Sequence, residues 1–274
     1  MSHLSWQNSI AVIVGASTGF GAQLAEVLAS RQTTLFLIAR HETALQAFAD
    51  QLRSRHPQAK IEVIVADAME LAGLQQAADE VRKRVPKIDL LINAVGKSDR
   101  GRLLELNDID LQNLFAINVL TAIHGTRAFH SLLKNGRGTI INIGSLSSKF
   151  APRFLGGYSI TKFGLAAASQ QLRLELAEDG IHVMLACPGP IARADGHSRY
   201  ADLASERNLP SEAQGPGGGA KLKGLDPQRL AIKILDGAAR RYPELMFPAK
   251  SRLLLLVQAI FPAWGDWLLR KKTS

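Results

Sequence analysis

The fold is decided by one stretch near the start of the chain, Ile10-Ala11-Val12-Ile13-Val14-Gly15-Ala16-Ser17-Thr18-Gly19-Phe20-Gly21. Its first five residues are an apolar run that ends at a glycine, which is typical of a buried parallel strand. Residues 19–30 then show helical periodicity, so the glycine-rich turn lies between a strand and a helix. Such a turn lets the backbone approach a pyrophosphate, which the helix amides then face. The same turn also occurs as a plain connection.

Short apolar strands and helices alternate along the following residues. Strands are predicted at residues 10–14, 34–38, 61–65, 88–92, 139–143 and 181–185. Helices are predicted at residues 19–30, 42–55, 70–84, 108–133 and 152–179. Repeated strand–helix units of this length predict an α/β fold, a doubly wound Rossmann-type parallel sheet of about seven strands with helices on both faces. Nothing interrupts the pattern, so residues 1–274 are expected to form one catalytic domain.

Composition argues against several classes of protein. The chain has 274 residues, of which 46% are apolar, enough for a substantial core. The net charge is +9, but there is no run of five like charges and no base-stacking motif, so nucleic acid is not an expected partner. The single cysteine, Cys187, excludes an internal disulfide and a cysteine-based cluster, and no metal is predicted. Residues 1–8 lack the apolar core of a secretion signal, which predicts a cytoplasmic protein.

Residues 193–224 break the alternation. They are small and polar, and they include Gly215-Pro216-Gly217-Gly218-Gly219. The segment follows the sixth strand, at the carboxyl edge of the sheet where ligands bind in this kind of fold. We therefore interpret it as a substrate loop, with a disordered segment as the alternative.

A second departure is the apolar tail at residues 249–272. Leu253-Leu254-Leu255-Leu256 is followed by Trp264 and Trp267 and then by three cations at 270–272. The tail is too short to span a bilayer, but this order of residues suits a helix that lies in a membrane interface. It equally suits a helix that packs over the substrate pocket or against a second subunit, and exposed apolar patches more often mark such protein contacts. We expect a C-terminal helical extension, with peripheral membrane contact left open.

Chemically useful side chains occur around residues 145–162. Tyr158 and Lys162 are four residues apart and project from one face of a helix, and Ser145 lies upstream. An ammonium beside a phenol lowers the pKa of the phenol and makes it a usable acid or base. After the second strand, Arg40 occupies the position at which a carboxylate would bind the ribose of NAD. An arginine there favours the 2′-phosphate of NADP, and the alternative is an arginine that is only solvated.

Together these motifs resemble the short-chain dehydrogenase/reductase family over roughly residues 8–192. The resemblance implies a cofactor site formed by Gly15, Ser17, Thr18, Gly19, Phe20, Gly21, Arg40, Asp67, Asn93, Gly96, Tyr158, Lys162, Pro188, Gly189 and Ile191. Two positions depart from the family pattern. Ala94 replaces the second residue of its Asn-Asn-Ala-Gly segment, and Arg193 stands where a threonine usually contacts the nicotinamide amide.

The resemblance also implies a catalytic tetrad, Asn118, Ser145, Tyr158 and Lys162. Tyr158 is expected to transfer a proton to or from the substrate oxygen, which Ser145 would hold. Lys162 is expected to lower the pKa of the phenol and to bind the nicotinamide ribose, and Asn118 to orient a water.

These features predict an NADP(H)-dependent oxidoreductase that interconverts a carbonyl and a secondary alcohol on a small, hydrophobic substrate. The alternatives are an isomerase or dehydratase with the same fold, a nicotinamide-binding sensor without turnover, and a membrane-associated scaffold. A homo-oligomer, dimer or tetramer, is expected.

Overall fold

The computed structural model describes residues 6–192, 200–215, 217, 219 and 223–272. Its centre is a parallel sheet of seven strands in the order β3-β2-β1-β4-β5-β6-β7. The strands are β1 Ile10–Val14, β2 Thr34–Ala39, β3 Ile61–Val65, β4 Leu90–Asn93, β5 Thr139–Ile143, β6 His182–Pro188 and β7 Glu244–Phe247. The strand order reverses between β1 and β4, and ligands bind beside such a reversal at the carboxyl edge of a doubly wound sheet. The predicted fold class is confirmed.

Helices connect the strands and cover both faces of the sheet. They are α1 Gly19–Ser30, α2 Glu42–Arg55, α3 Leu71–Arg82, α4 Asp108–Phe115, α5 Thr121–Gly136, α6 Tyr158–Glu175, α7 Ala201–Glu206, α8 Pro227–Ala239, α9 Ser251–Ile260 and α10 Pro262–Lys272. A π-helical turn, Ala116–Leu120, joins α4 to α5, so the long helix predicted at 108–133 is widened in its middle. Helix α8 and strand β7 were not among the helices and strands that were predicted by residue range.

The helix that carries Tyr158 begins later than predicted. Residues 152–157 are a loop, and Tyr158 is the first helical residue. Phe154 and Gly156 have φ angles of 64° and 51°, and Leu155 forms a parallel bridge with Gly101, so this backbone cannot continue a right-handed helix. The expected start at residue 152 was therefore wrong, and the consequence is that Tyr158 lies at a helix N-terminus.

Alternate residues of the central strand face opposite layers of the core. Ala11 and Ile13 belong to the layer under α1, α2 and α8, whereas Val12 and Val14 belong to the layer under α3 and α5. All four side chains are at most 1% exposed. A strand buried on both sides explains why its sequence is continuously apolar rather than alternating.

The glycine-rich turn brings α1 very close to β1. Gly15 has a φ of 89°, and a Cβ added there would lie 2.9 Å from the backbone nitrogen of Val95. A Cβ on Gly21 would collide with the carbonyl oxygen of Gly15 and lie 3.1 Å from the Cβ of Ala94. The turn therefore packs directly against the chain that leaves β4.

Two peripheral parts complete the structure. Within the predicted 193–224 loop, the described residues include α7 and a 3-10 turn at Ser211–Gln214, while Arg193 lies outside the described residues. Helices α9 and α10 form the C-terminal extension, in which Leu254, Leu255 and Leu269 pack on a buried cluster that includes Met246. Each helix in the described part of the chain is too short or too polar to cross a bilayer.

We expect Gly21→Ala to destabilise the fold, because the new methyl group would push α1 off β1. Overpacking of this kind costs about 1–3 kcal/mol, and the melting temperature of a domain of this size falls by roughly 2–4 °C per kcal/mol. Gly73→Ala in α3 is the control, because its nearest neighbours would lie 3.7 Å and 3.8 Å from the Cβ. That helical substitution should be neutral or stabilising, by roughly 0.5–1 kcal/mol. Calorimetry of both variants tests this, and a Gly21→Ala melting temperature at or above that of wild type contradicts it.

Candidate active site

The predicted catalytic residues meet at the carboxyl edge of the sheet. Asn118 lies on the π-helical turn, Ser145 follows β5, and Tyr158 and Lys162 lie on the first two turns of α6. Lys162 and Asn118 both approach Gly96, after β4, where an added Cβ would lie 3.4 Å from Lys162 Nζ and 3.1 Å from Asn118 Oδ1. Three distant segments of the sequence thus converge on one place.

Asn118 is held by both ends of its amide. Its Oδ1 accepts from the backbone N–H of Lys97 at 2.8 Å, and its Nδ2 donates to the Lys97 carbonyl at 2.8 Å and to Thr161 Oγ1 at 2.9 Å. The residue is 1% exposed. A π-turn shifts the register of a helix and often occurs at functional sites, and here it places a polar side chain in the interior. Asn118 therefore locks the loop after β4 onto α6.

Lys162 is a buried cation beside the phenol. It is 3% exposed, and its Nζ donates to the carbonyl oxygen of Ile143 at 2.9 Å. Burial lowers the pKa of Lys162 to about 8, an effect that the thiol of Cys187 partly opposes. The Nζ lies 5.8 Å from the centre of the Tyr158 ring. This distance lies within the range of a cation–π contact, so the ammonium and the aromatic ring are neighbours on α6.

Ser145 begins the short 3-10 helix Leu146–Ser148, which packs against α6. Its Oγ accepts from the backbone N–H of Ser147 at 3.1 Å, and its own N–H donates to Ser148 Oγ at 3.2 Å. The first bond holds the Oγ as an acceptor and leaves the hydroxyl proton able to donate to another group.

Tyr158 is half-buried at the beginning of α6. Hydrogen bonds fix the backbone before and at Tyr158, because Gly157 N donates to Asp99 Oδ2 at 3.3 Å and Thr161 Oγ1 donates to the Tyr158 carbonyl at 2.9 Å. Cys187, the other buried nucleophile nearby, is a poor one, because burial raises the pKa of its thiol to about 12. The tyrosine is thus the better placed acid or base.

The glycine-rich turn fits the pyrophosphate of a dinucleotide. Gly15 and Gly19 have positive φ angles, Gly19 meets nothing within 4 Å of an added Cβ, and no acid lies in the first turn of α1. Thr18 is the N-cap residue without a side-chain capping bond, and Ser17 beside it is half-buried. The first amides of α1 therefore have no helical partner and suit an anion. Phe20 packs on the core, so only its backbone faces the turn.

Arg40 and Asp67 follow β2 and β3. Arg40 is exposed, and its Nε donates to His41 Nε2 at 3.0 Å. No carboxylate within the described ranges forms an ion pair with it, so its charge faces solvent at the strand end. Asp67 is half-buried, and its Oδ1 accepts from the backbone N–H of Met69 at 2.9 Å. One carboxylate oxygen is thereby fixed in a turn.

The structure places Asn93 differently from the other predicted cofactor residues. Its side chain is 5% exposed, donates to Asn142 Oδ1 at 2.9 Å and to the Ala122 carbonyl at 3.3 Å, and packs against Gly125. Asn142 in turn donates to Ser169 Oγ at 2.9 Å. This amide connects β4 to β5 and α5, so only the backbone of Asn93 is directed to the strand end.

Three further predicted cofactor residues lie at the end of β6 and just after it. Pro188 is its last residue, Gly189 N donates to the Phe247 carbonyl at 2.7 Å, and Ile191 forms a parallel bridge with Leu225. The backbone after β6 is therefore fixed by the last strand and by the segment before α8, on the same edge as Gly96.

Two residues of this region were missed from the sequence. Thr161 is fully buried, and its hydroxyl links Asn118 to the backbone of Tyr158. Its position between Tyr158 and Lys162 in the sequence could have indicated that it belongs to the site. Arg100 is 1% exposed, although a lone arginine in a polar loop reads as a surface residue.

Two surface depressions lie elsewhere. One, of about 310 Å³, is at the amino ends of the strands and is lined by Trp6, Asp89 and Thr139 among others. The other, of about 270 Å³, lies between α6 and α9 beside the Lys149–Glu244 ion pair. Neither is lined by Tyr158 or Lys162, so the site is assigned from its side-chain chemistry and its place on the sheet.

Known proteins share both the sequence pattern and the fold. The profile of the short chain dehydrogenase family matches residues 9–202. A ketoacyl reductase, HetN, from a Nostoc species is 30% identical over 184 residues, which are 66% of this chain and 63% of that protein.

Two solved structures show the same fold. The L-sorbose reductase of Gluconobacter frateurii, complexed with NADPH and L-sorbose, superimposes with a TM-score of 0.77 at 21% identity over 90% of this chain and 96% of that one. A short chain dehydrogenase/reductase from Burkholderia phymatum, in complex with NAD, gives 0.78 at 23% identity over 93% and 94%. With the family match over most of the chain and the same fold in both structures, this protein belongs to the short-chain dehydrogenase/reductase family.

Proposed function

We propose that the protein is an NADP(H)-dependent oxidoreductase that interconverts a carbonyl and a secondary alcohol, with Tyr158 as the general acid and base. The observation that carries this proposal is the placement of the half-buried Tyr158, whose ring centre lies 5.8 Å from the buried Lys162 Nζ, at the strand edge that bears the glycine-rich turn. A phenol needs such a charge to exchange protons near neutral pH, and a merely structural tyrosine does not.

The residues at the strand ends fit a nicotinamide dinucleotide. Gly15, Gly19 and the first amides of α1 would hold the pyrophosphate, Asp67 the adenine, and Lys162 the nicotinamide ribose. When bound, the nicotinamide supplies or accepts the hydride. The chain itself orients the substrate and moves the proton.

The contacts of the chain support the following proton steps. In reduction, Tyr158 donates its proton to the substrate oxygen while the hydroxyl of Ser145 donates a hydrogen bond to the same oxygen and stabilises its charge. The ammonium of Lys162 stabilises the phenolate that results. Asn118 fixes the loop after β4, and its remaining acceptor capacity suits the water through which Tyr158 is reprotonated. In oxidation the same steps run in reverse.

Cofactor choice is assigned to Arg40. Its exposed guanidinium at the end of β2 suits the 2′-phosphate of NADP, which a carboxylate at that position would repel. A preference for NADPH would in turn favour reduction in cells.

A hydrophobic substrate is supported by the apolar, partly buried Leu146, which directly follows Ser145. Leu146 packs on the same buried cluster as Leu254 and Leu255 of α9. A panel of steroids, retinoids, long-chain keto-lipids, quinones and sugars with NADPH tests the reaction class and the substrate class together. Oxidation of NADPH with any of these carbonyls supports the proposal. Rearrangement or dehydration without net NADPH consumption, or binding without turnover, would replace it.

Two exposed apolar faces support self-association or another contact. Ile109, Phe115, Ile160 and Phe163 on α4 and α6 are 65%, 38%, 42% and 44% exposed, which suits a homo-oligomer. On the C-terminal extension the exposed apolar residues are Leu253, Leu256, Ile260, Phe261, Trp264 and Trp267. We propose that this second face contacts protein, with an anionic membrane as the alternative.

Tyr158→Phe should abolish turnover and leave NADPH binding nearly intact, because the ring still packs and only the transferable proton is lost. A general acid contributes roughly 10²–10⁴-fold to the rate, so kcat should fall by that amount. Lys162→Ala should weaken both turnover and NADPH binding, because it serves the phenol and the ribose. Steady-state kinetics and fluorescence titration measure these effects. A Phe variant that retains more than about a tenth of the wild-type kcat rules out this role for Tyr158.

Arg40→Ala should weaken NADPH binding and leave NADH binding unchanged, because only NADPH carries the phosphate. Hydrogen bonds to a charged group contribute about 1.5–3 kcal/mol, or roughly tenfold or more in affinity. The dissociation constants of both nucleotides are measured for both proteins, so NADH is the internal control. Equal constants for the two nucleotides in the wild type would contradict the preference.

The contact made by the tail is tested with Leu253→Ser/Leu256→Ser/Trp264→Ser, which changes exposed residues and keeps the partly buried Leu254, Leu255 and Leu269. Because these residues cover no core, the variant should fold and stay active but lose its oligomeric state in light scattering. Truncation after Lys250 also removes Leu254, Leu255 and Leu269, which pack on the buried cluster, so it tests the whole extension rather than its exposed face alone. If the wild type instead floats with phosphatidylserine-containing vesicles and the variant does not, the tail is a membrane element and protein contact is the wrong assignment.

A further inference from the structure

Arg100 is a buried cation that joins the loop after β4 to the described segment 200–215. Its Nε donates to the Ala213 carbonyl at 2.8 Å and its Nη2 to the Gly215 carbonyl at 3.0 Å. The guanidinium carbon lies 3.6 Å from the centre of the Tyr200 ring. A buried arginine is tolerated only when its donors are paired, and here two of its partners and its stacking ring come from one segment.

A second arginine makes the reverse connection. Arg207 Nη1 lies 3.1 Å from Asp99 Oδ1 and also donates to the carbonyl of Arg100. A Cβ added to Gly101 would lie 2.9 Å from that same Nη1, so this approach depends on a glycine. Arg100 of the loop after β4 thus binds the segment 200–215, and Arg207 of the segment binds the loop.

The same loop holds the backbone that leads into Tyr158. Asp99 Oδ2 accepts from Gly157 N at 3.3 Å, and Gly156 N donates to the Gly101 carbonyl at 3.0 Å. Burial lowers the pKa of Arg100, an effect opposed by the nearby Tyr200, Tyr158 and Asp99. The segment 200–215 is thus attached to the same few residues that fix the start of α6.

Little apolar surface holds the segment in place. Its small core consists of Ala204, Leu209 and Ala213, with Phe154 packed against it. Two of these residues are alanines, so hydrophobic burial contributes less here than in the main core. The polar contacts of Arg100 and Arg207 therefore carry a large share of the attachment.

We propose that Arg100, stacked on Tyr200, is a positioning residue that holds the segment 200–215 as a wall of the substrate site beside Tyr158. The segment follows β6 at the carboxyl edge of the sheet, where substrates enter such folds. Loss of the contact releases the wall without removing any group that transfers a proton or binds the dinucleotide. The link to substrate rests on the proposed function, whereas the attachment of the segment does not.

The attachment is tested first, without any substrate. A glutamate-specific protease cuts at Glu206 and Glu212, whose side chains are exposed within the segment. Arg100→Met and Tyr200→Ala should each accelerate cleavage at these sites by about tenfold or more, the equivalent of one lost hydrogen bond to a charged group. Arg102→Ala removes an exposed arginine in the same loop and should be cut at the wild-type rate. Tyr200→Phe keeps the ring but loses the hydroxyl that also interacts with Arg100, so its cleavage rate should lie between those of the wild type and Tyr200→Ala. Cleavage of Arg100→Met and Tyr200→Ala at the wild-type rate overturns the proposal.

The link to substrate is tested with the carbonyl that the NADPH panel identifies. Tyr200→Ala should raise its KM by about tenfold while kcat and the dissociation constant of NADPH change little. Arg100→Met should raise the KM by as much, and because it also removes a charge near Tyr158, the kcat comparison is made with Tyr200→Ala. Arg100→Lys keeps the charge but loses the planar set of donors of the guanidinium, so its KM should lie between that of the wild type and that of Arg100→Met. Faster cleavage with an unchanged KM overturns the assignment of the segment as a substrate wall. If Arg100→Met does not fold, Tyr200→Ala and Tyr200→Phe still test both the attachment of the segment and its effect on KM. If no carbonyl is reduced at all, the proposed function fails, and the cleavage rates still decide the attachment.

Discussion

The absence of side chains at Gly15 and Gly21 is the constraint on which the site depends. It lets α1 lie directly against β1 and against the chain that leaves β4, where a methyl group on either glycine would meet backbone atoms. That contact sets the position of Gly96, which in turn leaves room for Asn118 and Lys162. The cofactor turn and the proton-transferring residues are therefore parts of one packed arrangement at the strand ends.

Buried polar groups then fix the geometry that this packing allows. The amide of Asn118 uses both of its ends, and a second chain of bonds runs through Asn93, Asn142 and Ser169 deeper in the sheet. Buried amides are costly unless they are paired, so each such chain favours a single arrangement of its strands and helices. The rigid framework holds the charge of Lys162 beside Tyr158 although burial opposes that charge.

A second buried cation, Arg100, lies on the other side of Tyr158. Lys162 is bonded to the strand framework through Ile143, whereas Arg100 is bonded to a peripheral segment through Ala213 and Gly215. The first arrangement belongs to the large core and cannot move without it. The second depends on a few polar contacts over a small apolar cluster, and such contacts are the ones that local opening breaks first.

The sequence by itself determined the strand–helix alternation, the parallel sheet, the glycine turn and the pairing of Tyr158 with Lys162, because each depends on local periodicity or on a spacing of a few residues. The addition of Asn118 and Ser145 to that pair came from the resemblance to the family. Only the tertiary structure decided that residues 152–157 are a loop, that Asn93 turns inward, and that Arg100 is buried. Arg100 and Ala213 are 113 positions apart, and nothing in the residues around either one indicates the other. Burial of a polar side chain is a property of everything that surrounds it, and those surroundings exist only once the chain has folded.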